Sequence, residues 1–92
     1  MAANFRIRVH QNSDNLHLRL DGDFDGSSAY LLLNTIEKRC HLASKGFIHT
    51  SGLGEIDPFG SAVFKNHLGG LKPCRHMQLN FTGDHAEALA PD

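Results

Sequence analysis

Two short stretches near the start of the chain alternate between apolar and polar residues: Phe5-Arg6-Ile7-Arg8-Val9 and Leu16-His17-Leu18-Arg19-Leu20. A period of two marks a strand with one buried face, so Phe5, Ile7 and Val9 are expected to point inward together with Leu16, Leu18 and Leu20. The residues between, Gln11 to Asn15, are all polar turn formers. The two stretches therefore read as an antiparallel hairpin.

Beyond the hairpin the period changes. Asp21 to Gly26 reads as a loop, with Ser27 or Ser28 available as a helix cap. Leu32, Leu33, Ile36, Cys40 and Ala43 then recur at spacings of three and four, one stripe on a helix of about four turns. Tyr30 and Leu31 fall off that stripe and are expected at the surface, and Gly46 is the expected terminator. Residues 46–50 predict a third strand, and Ser51 to Ile56 a loop. Asp57-Pro58 is a strong helix start: aspartate caps the first turn, and proline's missing N–H costs nothing at the first helical position. This second helix carries Phe59, Ala62, Val63 and Leu68 and ends at Gly69-Gly70, with Pro73 in the connection beyond. Met77, Leu79 and Phe81 alternate with polar residues and predict a fourth strand. Asp84 to Ala90 predicts a last helix, with Asp84 and Glu87 spaced as a capping box. The order is β-β-α-β-α-β-α. Helical crossovers imply parallel pairing, so residues 1–92 predict one α/β domain with a four-stranded, mixed, mostly parallel sheet and its helices packed on one side.

Composition narrows the function. At 92 residues, 40% hydrophobic and 21% charged, the chain has the make-up of one globular domain. Nine Lys and Arg against ten Asp and Glu give a formal charge of −1, with no basic run, so a nucleic-acid partner is not expected. No apolar run approaches the length of a membrane span, and residues 1–10 are not a signal peptide, so the expectation is a cytoplasmic protein with no membrane insertion. Cys40 and Cys74, in a reducing compartment, read as two buried thiols.

The chemistry-bearing residues do not assemble into a catalytic motif. Asp21-Gly22-Asp23-Phe24-Asp25-Gly26 matches the first half of an EF-hand calcium loop, but Leu32 stands where the bidentate glutamate belongs and a strand precedes it. Seven histidines show no ligand spacing, although their full protonation would move the net charge from −1 to +6. Phosphate-cradling glycine fingerprints and nucleophile elbows are absent, so no catalytic residue, metal or cofactor is expected.

The most specific stretch runs from Phe47 to Phe64: a strand, Ser51-Gly52-Leu53-Gly54-Glu55-Ile56, then Asp57-Pro58-Phe59-Gly60 opening a helix. It resembles the STAS domain, shared by bacterial anti-sigma factor antagonists and the cytoplasmic tails of sulfate transporters. Leu20 to Asp25 and Phe81-Thr82-Gly83 support the resemblance, which covers residues 5–90. It implies a STAS-type fold and a binding module without catalytic groups. In the antagonist branch the turn reads Asp-Ser-Ser/Thr-Gly, and a partner kinase phosphorylates the first serine. The unphosphorylated form binds that anti-sigma kinase and frees the sigma factor. Asp57 and Gly60 match this turn, whereas Pro58 occupies the phosphoacceptor position and has no hydroxyl. Ser61 is the remaining candidate phosphoacceptor. His49-Thr50 also stands where many members carry an aspartate.

The resemblance therefore implies a non-catalytic protein–protein interaction module in bacterial regulation, with an anti-sigma factor kinase as candidate partner. The expected surface is Asp57, Pro58, Phe59, Gly60 and Ser61, flanked by Ser51 to Glu55. Phe59 is either an exposed anchor or a core residue. Two alternatives stand beside this reading: a sensor of a nucleotide or anion held by free N–H groups of Phe59, Gly60 and Ser61, and a STAS subunit of a transporter complex.

Overall fold

Leu16, Leu18 and Leu20 are fully buried, and the sheet is built outward from the strand that carries them. The computed structural model describes residues 4–71 and 77–90. Strand β1 (Arg6–Asn12) pairs antiparallel with β2 (Asn15–Phe24), in register from Arg6 opposite Asp21 to Asn12 opposite Asn15. Only Ser13 and Asp14 remain in the turn, so Gln11, Asn12 and Asn15 are strand residues rather than loop. Ser13 takes the positive φ (60°) that lets a two-residue connection follow the twist of the strands. Asp14 then ties the hairpin to the start of the next strand, with Ser44 N–H donating to its carbonyl at 3.1 Å and to its Oδ1 at 3.2 Å.

Helix α1 (Gly26–Arg39) follows, then a 3₁₀ turn (Cys40–Leu42) and strand β3 (Lys45–Ile56). Helix α2 (Pro58–Leu68), strand β4 (Gln78–Thr82) and a single-turn helix α3 (Ala86–Leu89) complete the order. The sheet order is β1-β2-β3-β4, with β2–β3 and β3–β4 parallel and the helices on one side. This is the α/β architecture that the alternation of periods predicts. The apolar stripe of α1 is buried through Leu32, Leu33 and Ile36, while Tyr30 and Leu31 are exposed; Cys40 and Ala43, expected on the same helix, are buried too but lie in and just after the 3₁₀ turn. Phe64 was not among the expected core residues, yet it is fully buried at the centre, edge-on to Phe24 at 6.3 Å and to Phe81 at 6.1 Å. Val9, expected inside, is partly exposed on the edge strand.

Several boundaries differ from expectation, each for a local reason. Asp25, not Ser27 or Ser28, caps α1, because its carboxylate accepts the Ser28 N–H at 3.0 Å. Gly46 does not end that helix; it lies in β3, where a side chain would press on Met77 and Leu79. The capping box in α3 is not formed, since His85 holds the N-cap position without a side-chain bond. Asp21 to Phe24 and Ser51 to Ile56, expected as loops, extend β2 and β3 and pair with each other. Two bulges hide this from the sequence: β3 runs from His49 to Gly52 where β2 runs only from Arg19 to Asp21, and the mismatch recurs before Phe24–Ile56. Burial in β3 passes from Gly46, Ile48 and Thr50 to Leu53, which breaks the period of two.

Cys40 is disulfide-bonded rather than a thiol, which removes cysteine usage as an argument for a reducing compartment. The readings of Pro73, Cys74 and His76 fall outside the described residues. Among the described residues no helix is long and apolar enough to cross a membrane.

Buried Thr50 joins the last strand to α3: its hydroxyl donates to the Thr82 carbonyl at 2.7 Å and accepts from His85 N–H at 3.1 Å. Gly83 turns the chain beside it at φ 102°, and a Cβ there would sit 2.6 Å from Ser51 N. Gly83→Ala is therefore expected to cost at least about 2 kcal/mol. Gly69→Ala, in right-handed backbone with nothing within 4 Å of the added carbon, is expected to change stability by less than about 1 kcal/mol and in the stabilising direction. Urea denaturation of the two variants checks the contrast.

Candidate functional site

The turn that opens α2 is held from three directions. Asp57 N–H donates to the Phe24 carbonyl at 2.8 Å, which ties the end of β3 to the end of β2. The Asp57 carboxylate caps the helix by accepting Phe59 N–H at 3.1 Å, and its carbonyl accepts Ser61 N–H at 3.0 Å. Pro58 occupies the first helical turn, where its fixed φ suits the helix. Gly60 is buried against Asp25: a Cβ would lie 2.5 Å from the Asp25 carbonyl carbon and 2.7 Å from its oxygen. Only glycine permits that approach, and it brings the N-termini of α1 and α2 side by side.

Phe59 points outward from this turn. It is 66% exposed, with its ring edge beside Gly26. Of the two readings the sequence allows for Phe59, the core one is set aside, because the ring is exposed. The Ser61 hydroxyl donates to the Ala88 carbonyl and so fastens α2 to α3. Ser51 to Glu55 are strand residues rather than a flanking loop. The anion site imagined at this helix start is also largely occupied, because the N–H groups of Phe59 and Ser61 both bond to Asp57.

Asp25 was not connected to the turn by the sequence. Its carboxylate accepts Ser28 N–H at 3.0 Å, Ser27 Oγ at 2.9 Å and Ser28 Oγ at 3.1 Å. The backbone N–H of Ser28 is the main reason its pKa falls from 3.8 to about 2, against a smaller upward push from burial. A depressed carboxyl stabilises the fold above pH 3.8 and loses that contribution as pH falls toward 2. Asp23 accepts Glu55 N–H at 3.0 Å. The acidic run thus divides between a sheet contact and a helix cap, and with Glu55 and Asp57 it makes the C-terminal edge of β2 and β3 negative.

A second polar cluster lies on the opposite face of the sheet, away from the helices. His17 Nδ1 and His49 Nε2 are 3.0 Å apart, and His49 Nδ1 is 2.7 Å from Thr82 Oγ1. The two imidazoles are nearly coplanar, at 3° with centroids 5.3 Å apart, so they meet edge to edge through one shared proton. The Phe47 ring stacks on His17 at 4.9 Å and 13°. The sequence signal for this cluster was parity: His17, Phe47 and His49 are all odd-numbered residues of strands whose even positions are buried.

Burial lowers the His49 pKa below 6.5, helped by the neighbouring His17 and Arg19. The unfolded chain therefore binds a proton that the folded chain resists. Stability is expected to be fully present above pH 6.5 and to decline as pH falls below it. Thermal midpoints measured between pH 8 and pH 5 should fall for the native protein and fall less for His49→Gln.

No known protein family matches the chain by sequence pattern, and no curated protein matches it by sequence. Solved structures do match its fold. The STAS domain of an antisigma-factor antagonist from Rhodobacter sphaeroides superposes with a TM-score of 0.69 at 13% identity, covering 91% of each chain. The anti-sigma factor antagonist SpoIIAA, in its unphosphorylated form, gives 0.59 at 12% identity over 88% of this chain and 71% of that one. The protein called Mglu gives 0.67 at 16% identity, covering 80% of this chain, which spans only 18% of Mglu. The fold is that of a STAS domain, as the residues around Asp57 and Gly60 suggested.

Proposed function

We propose that the chain is a non-catalytic interaction module of bacterial regulation, docking a partner protein through the turn Asp57–Ser61. The observation that carries this reading is Phe59: a large aromatic ring, 66% exposed, on a turn made rigid by the Asp57 cap and the Gly60–Asp25 contact. A preorganised aromatic side chain loses little freedom on binding and is the residue type that dominates interface energies. The Asp57 carboxylate accepts the Phe59 N–H and the Asp25 carboxylate caps the adjoining helix, so the partner is expected to offer an apolar pocket with basic groups at its rim.

The STAS fold and its anti-sigma factor antagonist neighbours favour an anti-sigma factor kinase as that partner. Pro58 has no hydroxyl to phosphorylate, and the Ser61 hydroxyl is used on Ala88, so docking is constitutive rather than switched. Affinity capture from the source organism, with and without ATP, tests this. The native chain is expected to retain one ATPase-type anti-sigma factor in both conditions. Phe59→Ala should bind that purified partner at least about thirty-fold more weakly with an unchanged thermal midpoint. Capture that is indifferent to Phe59→Ala would overturn the docking surface, and recovery of a transport subunit would move the assignment to a structural role.

A further inference from the structure

The helix-free face of the sheet has a chemistry the docking turn does not use. Cross-strand register places Arg8 opposite Arg19 and His10 opposite His17, so like groups face each other in two adjacent rows. The Arg8–Arg19 pair costs stability in a sheet unless something negative offsets it. Asp21 is the carboxylate within reach, 3.6 Å from Arg8 and 3.9 Å from Arg19, one acid serving two guanidiniums. Arg6 lies opposite Asp21, and Lys45 pairs beside Asn15 further along the same face. With Asp23, two residues beyond Asp21 on the same face of β2, the face holds four cations against two carboxylates, a formal +2, in a chain whose total is −1, which leaves −3 for the rest. No basic run betrays this in the sequence, because the cations come from three strands and only the register gathers them.

The centre of the face is aromatic. Phe47 stacks on His17, and His17 is bonded to His49, which Thr82 holds from the far side. Asn80 lies opposite Phe47, adding a neutral donor and acceptor. Cations around stacked rings and amide groups suit a ligand with both phosphates and flat bases; an acidic peptide would use the charges and leave the rings idle. We propose that this face binds single-stranded nucleic acid, with phosphates at Arg6, Arg8, Arg19 and Lys45 and a base continuing the Phe47–His17 stack.

The test is fluorescence anisotropy with labelled single strands of RNA and DNA of about twelve nucleotides, beside a duplex of equal length and a polyglutamate peptide. Saturable micromolar binding of a single strand is expected at about 50 mM salt. Four phosphate contacts give a salt slope near −3, hence about fifty-fold weaker binding at about 200 mM. Phe47→Ala should weaken binding about tenfold. The Arg8→Glu/Arg19→Glu pair should do so at least equally, and with side chains 68% and 62% exposed these two substitutions leave the core untouched. Absence of any signal up to about 100 μM protein would overturn the proposal. So would polyglutamate binding as tightly as the oligonucleotides and indifferent to Phe47→Ala, which would identify an acidic protein surface instead. Either result leaves the Asp57–Ser61 docking turn untouched.

Discussion

Everything in this domain depends on β2 burying one face only. Leu16, Leu18, Leu20 and Phe24 point to the helices, and each contributes roughly 1.5–3 kcal/mol when taken out of water. Ile48 joins them from β3, and the stripe of α1 closes over them with Phe64 of α2. A strand has no choice about its other face. The residues between the leucines, His17 and Arg19, must stand on the opposite side of the sheet, where no described helix covers them. One-sided burial therefore makes both the core and the polar sheet face from the same five residues.

The far end of the sheet follows a different constraint. Past Leu20 the two central strands continue through bulges, and glycine at 52 and 54 leaves room for the carboxylates of Asp21 and Asp23. Those carboxylates are then drawn apart. Asp21 turns to Arg8 and Arg19, Asp23 to the backbone of Glu55, and Asp25 to the first turn of α1. A calcium loop would gather its oxygens on one ion; here each is committed to a different structural bond. The same end brings the caps of α1 and α2 together at Gly60, so the turn that carries the exposed ring of Phe59 adjoins two capping carboxylates.

Features governed by a single period or a single cap were legible in the sequence. The leucines of β2, the stripe of α1 and the Asp57-Pro58 start of α2 each rest on chemistry local to a few residues. Features that need two segments at once were not. The extension of β2 and β3 exists only because each pairs with the other across bulges, and bulges erase the alternation that would announce them. Asp25 meets the turn through Gly60, a contact across 35 positions that no local pattern encodes. Phe59 illustrates the boundary: its place in the helix was readable, but its exposure depends on how the turn packs against the start of α1, with its ring edge beside Gly26.

The polar face makes the strongest demand on register. Shifting β1 by one residue would exchange its inward and outward sets, moving Ile7 away from the core and Arg8 into it. The two-residue turn at Ser13-Asp14 works against that slip, and Asp14 adds a second restraint by bonding Ser44 at the entry to β3. The hairpin is thus tied to the parallel strand as well as to itself. That double restraint keeps His10 beside His17, and keeps Arg8 beside Arg19 despite the repulsion between the two guanidiniums. The energy for holding the two arginines together comes from the leucines beneath them: burying Leu16, Leu18 and Leu20 outweighs the few tenths of a kcal/mol to about 1 kcal/mol that such a pair costs.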